Sequence, residues 1–389
     1  MYRKPLALAA ALLLLGGATA QADTTLVLTL PPPTGPHPVG VTELHLSDAS
    51  RPDPWDSRRP ARELMVSVFY PAAATDGFPL APQMTPRAAA VFGGLDAVHT
   101  HPELPDTGVD WAATMTHSHV GAPAQPRRRP VLLYSPGAGD PRTLGTGLAE
   151  DLASRGYVVV TIDHAGETTE VEFPSGEVRI TEMRSHPGFD PELFRKLLDI
   201  RLADVTFVLD RLRALSTGTN PDADGKPLPR DLSRTLDLRR VGIYGHSAGG
   251  STAAQALHDN RVLDAAVNLE GFLDHVPSPT GEPGPLLPVA EEGTRKPLLL
   301  FGTDGYWNPR YARSWSAMLE SGCRTTHRQI DGATHWVFTD FAQQAPQLQT
   351  AGLMTAADRN QLIGPIEPAA ARPAVHDQVA AFFARHLRG

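Results

Sequence analysis

The chain has 389 residues, with 43 acidic against 35 basic side chains and a formal net charge of −8 at pH 7. That balance argues against a nucleic-acid binder and gives the surface no general attraction to anionic membranes. The 41% hydrophobic content is enough for a sizeable core, and a single cysteine, Cys323, excludes any intrachain disulfide. With no cysteine-centred motif around it, Cys323 is expected to be a small buried hydrophobe rather than a catalytic thiol.

Arg3 and Lys4, the apolar run from Leu6 to Leu15 and the small residues Ala20-Gln21-Ala22 form a secretory signal peptide over residues 1–22. The run is too short to cross a bilayer. Residues 23–389 are then expected to be one domain, secreted or periplasmic, with no integral membrane segment. Loss of Arg3 and Lys4 makes the remaining chain two charges more negative.

Leu26 to Leu30 reads as a short extended segment, and the proline-rich stretch from Pro31 to Pro36 as an extended arm. Val41 to Leu46 and Arg62 to Tyr70 alternate like strands and suggest an antiparallel pair at a sheet edge. Residues 72–129 look like an excursion from the sheet. Its histidine pairs, His99 with His101 and His117 with His119, read as solvated loop residues rather than metal ligands, because no cysteine or carboxylate completes a set.

From Pro130 the pattern becomes regular. Val131 to Tyr134 is a buried strand, Leu144 to Ser154 a helix and Tyr157 to Ile162 a second strand, together a complete βαβ unit. Residues 165–190 form another cap-like excursion, with a hairpin around Pro174-Ser175-Gly176. Pro191 opens a long helix whose Leu198, Leu202, Val205, Leu209 and Leu212 share one face. The acidic stretch from Asn220 to Asp231 matches a calcium loop only in part and reads as a surface turn. Buried strands follow at 263–271 and 298–304, then a helix from Pro309 to Glu320, a strand from Thr325 to Ile330 and a last helix from Ala374 to His386. The sum is an α/β fold: a doubly wound, mostly parallel sheet with helices on both faces.

Gly245-His246-Ser247-Ala248-Gly249 stands between an apolar strand and an Ala-rich helix. Such a strand-to-helix turn lifts a serine hydroxyl clear of the sheet and leaves the N–H of Ala248 unpaired at a helix N-terminus, where a developing oxyanion would be stabilised. Ser247 is therefore the candidate nucleophile. A serine needs a base, and a carboxylate must orient that base. His335, in the loop after the last strand, is the natural base; His327 lies within the strand and reads as packing, and His246 as structural. Glu270 and Asp304 each end a neighbouring strand, and spacing does not separate them as the acid. The loop Pro136-Gly137-Ala138-Gly139 after the first parallel strand offers the N–H of Ala138 as second oxyanion donor.

Several stretches resemble the plasma-type platelet-activating-factor acetylhydrolase family, a branch of the α/β-hydrolases. They are Gly245 to Gly250, Ser135 to Gly139 with Arg142-Thr143-Leu144, Asp151 to Tyr157, Pro36 to Gly40, Val68 to Pro71 and His335 to Phe341. In that family the acid follows the strand after the nucleophile helix, in a Leu-Asp context. Leu269-Glu270 stands at that place with Glu for Asp, which favours Glu270 and leaves Asp304 as the alternative. The resemblance implies a secreted serine carboxylic-ester hydrolase working through an acyl-enzyme on lipid-like or short-acyl esters, without cofactor or metal, and it is shared by bacterial secreted lipases and polyester hydrolases. A serine peptidase or thioesterase on the same triad, or a catalytically silent binding module, are the readings it competes with.

Overall fold

A computed structural model describes residues 25–95 and 100–387. The expected signal peptide and His99 lie outside the described residues. The first half of the chain forms β1 (Val39–Asp48), β2 (Arg62–Pro71), β3 (Leu80–Pro82), α1 (Pro86–Leu95), β4 (Met115–Val120), β5 (Arg129–Ser135), α2 (Thr146–Ser154), β6 (Val158–Asp163), β7 (Glu170–Glu172) and β8 (Val178–Ile180). The second half forms α3 (Pro191–Ser216), α4 (Leu232–Thr235), β9 (Leu236–His246), α5 (Ala248–Asp259), β10 (Ala265–Leu269), α6 (Pro288–Glu292), β11 (Leu298–Thr303), α7 (Pro309–Ser321), β12 (Thr325–Ile330), α8 (Phe341–Thr350), α9 (Ala356–Ile363) and α10 (Pro368–Leu387).

Ten strands join in the order β12-β11-β10-β9-β5-β6-β2-β1-β4-β3. From β12 to β6 every pairing is parallel, and β2 enters antiparallel to β6. The inner strands are buried on both faces, which is why they read as unbroken apolar runs rather than alternating ones. Val131 and Leu133 of β5 pack into the core under α3, α5 and α7, whereas Leu132 and Tyr134 pack into the core under α2 and α10. The sheet is thus doubly wound with helices on both faces, as the strand and helix patterns imply.

The fold departs from the sequence pattern in several places. The β1–β2 pair is antiparallel, but it is not the sheet edge, because β4 pairs with β1 and β3 with β4. Residues 72–129 are therefore part of the sheet at its far end, and His117 and His119 sit on β4, facing the carbonyl oxygens of Leu30 and Phe78 at 2.8 Å each. Cys323 is exposed, in the turn between α7 and β12, and not a buried hydrophobe. The last helix begins at Pro368, earlier than its apolar pattern indicates, and carries Pro373 inside it. The Asn220–Asp231 stretch is a turn in which Asp222 accepts the backbone N–H groups of Asp224 and Lys226.

Parallel register decides where the chemistry gathers. His246 at the end of β9 lies beside Leu269 of β10, and Leu269 lies beside Phe301 of β11. The residues that follow, Ser247 and Glu270, and Thr303 at the end of β11, consequently emerge together at the carboxyl edge of the sheet, where open α/β sheets bind ligands.

Candidate active site

Ser247 caps α5 with φ 55° and ψ −121° and makes no capping hydrogen bond to that helix with its side chain. A non-glycine residue at such positive φ is strained, and the surroundings must over-determine it. The N–H of Ser247 donates to Leu269 O at 2.9 Å. The flanking glycines matter for space. A Cβ on Gly245 would run into the carbonyl of Gly249, and one on Gly249 into the carbonyl of Ser135. The turn is that tight because β9, α5 and the loop after β5 meet there.

Glu270 also has positive φ, 59°. Its Oε2 accepts from His335 Nδ1 at 2.8 Å, and both side chains are buried. Its Oε1 accepts the backbone N–H and the hydroxyl of Thr303, both at 2.6 Å. The backbone carbonyl of Glu270 accepts from the hydroxyl of Tyr311 at 2.6 Å. Every acceptor of the carboxylate that faces protein is therefore used, and the carboxylate is fixed against the imidazole. Asp304 lies elsewhere: it is exposed, and its Oδ1 accepts the N–H of Ala333 at 3.3 Å in the loop that leads to His335. The structure brings Glu270 to the His335 ring and leaves Asp304 on the backbone of the neighbouring loop.

Burial pushes the Glu270 carboxyl above its ordinary range, against the lowering effect of the Thr303 hydrogen bonds. Burial likewise drives the His335 imidazole well below its ordinary value. The hydrogen bond between them favours the charged forms and opposes both shifts. With the imidazole uncharged and its Nδ1–H given to Glu270, Nε2 is left as an acceptor. The Tyr306 ring lies over the His335 ring, nearly parallel, with centroids 4.1 Å apart.

The His246 ring packs against the His335 ring with centroids 4.4 Å apart, tilted by 46°. Its Nε2 donates to the backbone carbonyl of His335 at 2.9 Å, so it anchors the His335 loop. On its other side lies Asp140, also approached by His101 Nε2 at 3.4 Å. Burial raises the Asp140 carboxyl, yet the neighbouring imidazoles of His101 and His246 outweigh it and hold it at about 2. His327, on β12, stacks against Trp307 and meets Trp315 edge-on, a packing role.

Ala138 lines a cavity of about 510 Å³ whose wall includes Leu95, Met183, Pro187 and Trp336, with Thr100 and His186 among the polar groups. The residues from Ile180 to Pro187 belong to the excursion after β6, so that excursion walls the cavity as a cap would. The lining includes Ala138 and Trp336, the neighbour of His335 in the chain, but not Ser247, Glu270 or His335 themselves. Among the described residues no group of three His, Cys, Asp or Glu is placed to hold a metal ion, and no helix is long and apolar enough to cross a membrane.

Thr303, Tyr306 and Asp140 escaped sequence reasoning because nothing local marks them. Arg201 and Asp204 did carry a signal: they interrupt the apolar stripe of α3 between Leu198 and Val205, and both are buried. Charged residues on a buried face demand partners.

The model of the family described as platelet-activating factor acetylhydrolase, isoform II, matches residues 24–388. A probable 1-alkyl-2-acetylglycerophosphocholine esterase of Arthroderma benhamiae is 27% identical over 385 residues, covering 92% of this chain and 88% of that protein. The platelet-activating factor acetylhydrolase of Cavia porcellus is 21% identical over 225 residues, 54% of this chain and 48% of that protein. Among solved structures, a ferulic acid esterase from Streptomyces cinnamoneus superposes with a TM-score of 0.70 at 32% identity, over 93% of this chain and 94% of that one. These likenesses and the sheet order identify an α/β-hydrolase fold.

Proposed function

Because the chain belongs to the platelet-activating factor acetylhydrolase isoform II family, we propose that it is a secreted serine carboxylic-ester hydrolase that acts through an acyl-enzyme. Ser247 is the nucleophile, His335 the general base, Glu270 the acid that orients it, and the N–H groups of Ala248 and Ala138 the oxyanion donors. The observation that supports this most is the buried 2.8 Å hydrogen bond from His335 to Glu270 beside the strained turn of Ser247.

The chemistry follows from these positions. As the Ser247 oxygen bonds to the ester carbonyl carbon, its proton passes to His335 Nε2, and the imidazolium is stabilised by Glu270. The carbonyl oxygen becomes an oxyanion that accepts from Ala248 and Ala138; each such donor is worth about 2.7–4 kcal/mol of transition-state stabilisation. The carbon–oxygen bond to the alcohol breaks, His335 returns the proton to the leaving alkoxide, and an acyl-Ser247 remains. Water, losing its proton to His335, attacks that acyl group; the bond from the acyl carbon to the Ser247 oxygen breaks, His335 returns the proton to Ser247, and the acid is released.

The cavity bounded by Leu95, Met183, Pro187 and Trp336 is mainly apolar and suits a lipid-like or short-acyl ester. The names of the relatives, an alkylacetylglycerophosphocholine esterase and a ferulic acid esterase, point to two alcohol and acyl shapes for that cavity. A panel of nitrophenyl esters of graded acyl length, run beside an acetylated glycerophospholipid and a feruloyl ester, ranks them. Ser247→Ala must abolish hydrolysis and covalent labelling by a fluorophosphonate. A Ser247→Ala protein that hydrolyses at the wild-type rate sinks the reading.

A further inference from the structure

The oxyanion loop is held from beneath by one side chain. Arg201, on α3, is fully buried. Its Nη1 donates to Pro136 O at 2.6 Å and to Ser135 Oγ at 3.3 Å, and its Nη2 donates to Gly137 O at 2.9 Å. Behind it, Glu167 Oε1 lies 2.5 Å from Nη2. Further along the loop, the N–H of Thr169 donates to Gly139 O at 2.7 Å. Carbonyl anchors at 136 and 137 before it and at 139 after it therefore bracket Ala138.

In a trans peptide the C=O and the following N–H point in opposite directions. The Gly137 carbonyl is pinned toward Arg201, so the N–H of Ala138, which shares its peptide plane, is turned away from α3. Ala138 itself lines the cavity, as does Glu167, the partner of Arg201. A planar guanidinium fork meets two carbonyls at once in a way a single ammonium does not. The same loop is tied sideways through Ser135 Oγ to His164, and His164 in turn to Asp204 on α3, so α3 sets both the height and the tilt of the loop.

We propose that Arg201 is a positioning residue for the reaction: it orients the Gly137–Ala138 peptide so that the Ala138 N–H meets the oxyanion. This rests on the reading of Ala138 as an oxyanion donor. Arg201 does not touch the substrate; it acts through the backbone.

The test uses the full chain and three variants: Arg201→Lys, Arg201→Met, and Arg201→Met combined with Glu167→Gln, which removes both buried charges together. Loss of one oxyanion donor costs about 10²–10³ in kcat, so Arg201→Met is expected to lose at least about 10-fold in kcat with KM within about twofold. The preference for an ester over the matching thionoester is expected to fall as well, since the donors serve oxygen better than sulfur. In the double variant the melting temperature recovers toward wild type while kcat stays low. Arg201→Lys keeps the charge opposite Glu167 and still loses kcat. Recovery of kcat along with the melting temperature, an unchanged ester-to-thionoester ratio, or failure of all three variants to fold overturns the proposal and leaves Arg201 a structural ion pair. Failure of the serine-esterase reading shows separately, as a wild-type protein that a fluorophosphonate does not label at Ser247.

Discussion

Thr303 gives two hydrogen bonds to a single oxygen of Glu270, from its N–H and from its hydroxyl, and so leaves the other oxygen to His335. A glutamate has one more rotatable bond than an aspartate, and this double anchor removes that freedom. The strained backbone of Glu270 and the register of β10 against β11 set the point from which the longer side chain starts.

The anchor makes the acid's identity testable. Glu270→Gln is expected to lower kcat by about 10²–10⁴-fold, because the imidazole loses its oriented tautomer and the stabilisation of its cation. Asp304→Asn is expected to stay within about threefold, since its contact is to the Ala333 backbone. Thr303→Val removes one anchor, a hydrogen bond to a charged group worth about 1.5–3 kcal/mol, and lowers kcat with little change in KM. Steady-state kinetics on one ester compares all three; the reverse ranking of the two carboxylates would transfer the role to Asp304.

The pH profile follows from the burial of His335. A general base works unprotonated, and burial lowers its affinity for the proton from the usual 6.5. Loss of kcat/KM on acidification is therefore expected below pH 6.5, not at or above it. Tyr306→Ala uncovers the ring that Tyr306 stacks upon and is expected to move this acid limb upward. A limb that stays in place in the variant counts against Tyr306 as the shield.

A buried acid outside the mechanism makes a separate prediction for stability. Asp340 accepts from Gly147 N–H and Gln83 Nε2 inside the fold. Burial, opposed by those hydrogen bonds, raises its carboxyl to about 8. The folded chain then holds a proton that the unfolded chain releases near 3.8, so this contribution is fully present below that value and is lost as pH rises through about 8. Urea midpoints measured from about pH 5 to about pH 9 are expected to fall less in Asp340→Asn than in wild type. Equal slopes would show Asp340 ionised in the fold.

The tightness of the Ser247 turn is the fourth test. Gly249→Ala forces a methyl group into the Ser135 carbonyl, and overpacking backbone against backbone is expected to cost about 3 kcal/mol or more. Thermal unfolding and activity fall together, unlike in Ser247→Ala, which keeps its stability.

Much of this was legible in the chain because strong local patterns coincide with the inner sheet. The runs at Val131, Val158 and Leu298 are buried on both sides and so read as strands, and Gly245 to Gly249 reads as a turn because only glycine fits there. Spacing did not separate Glu270 from Asp304, and only the family resemblance favoured Glu270. Both end adjacent strands, and what separates them in the fold is the hydrogen bond between His335 and Glu270, which no spacing reports. β3 is three residues long and β4 pairs with β1 over three positions, so neither builds a periodic signal of its own. α8 and α9 were missed as helices; a proline at position 346 lies inside the first, and the second is short. Arg201 was visible as a charge on an apolar face, but its partners are carbonyls of a distant loop, and backbone acceptors leave no mark in sequence.

The far end of the sheet, built from the segment 72–129, has a bearing on how copies of the chain behave toward each other. An uncovered β1 would have offered ten residues of unpaired backbone to any neighbour. Instead β4 covers β1 over Val39 to Val41, the turn at Asp222 and Ala223 hydrogen-bonds to His45 of β1, and the outermost strand is β3, three residues that close on Pro82. At the opposite end β12 shows Arg328 and Gln329 to solvent. A short strand ended by proline on one side and a charged, polar one on the other are poor templates for strand-by-strand addition of a second copy.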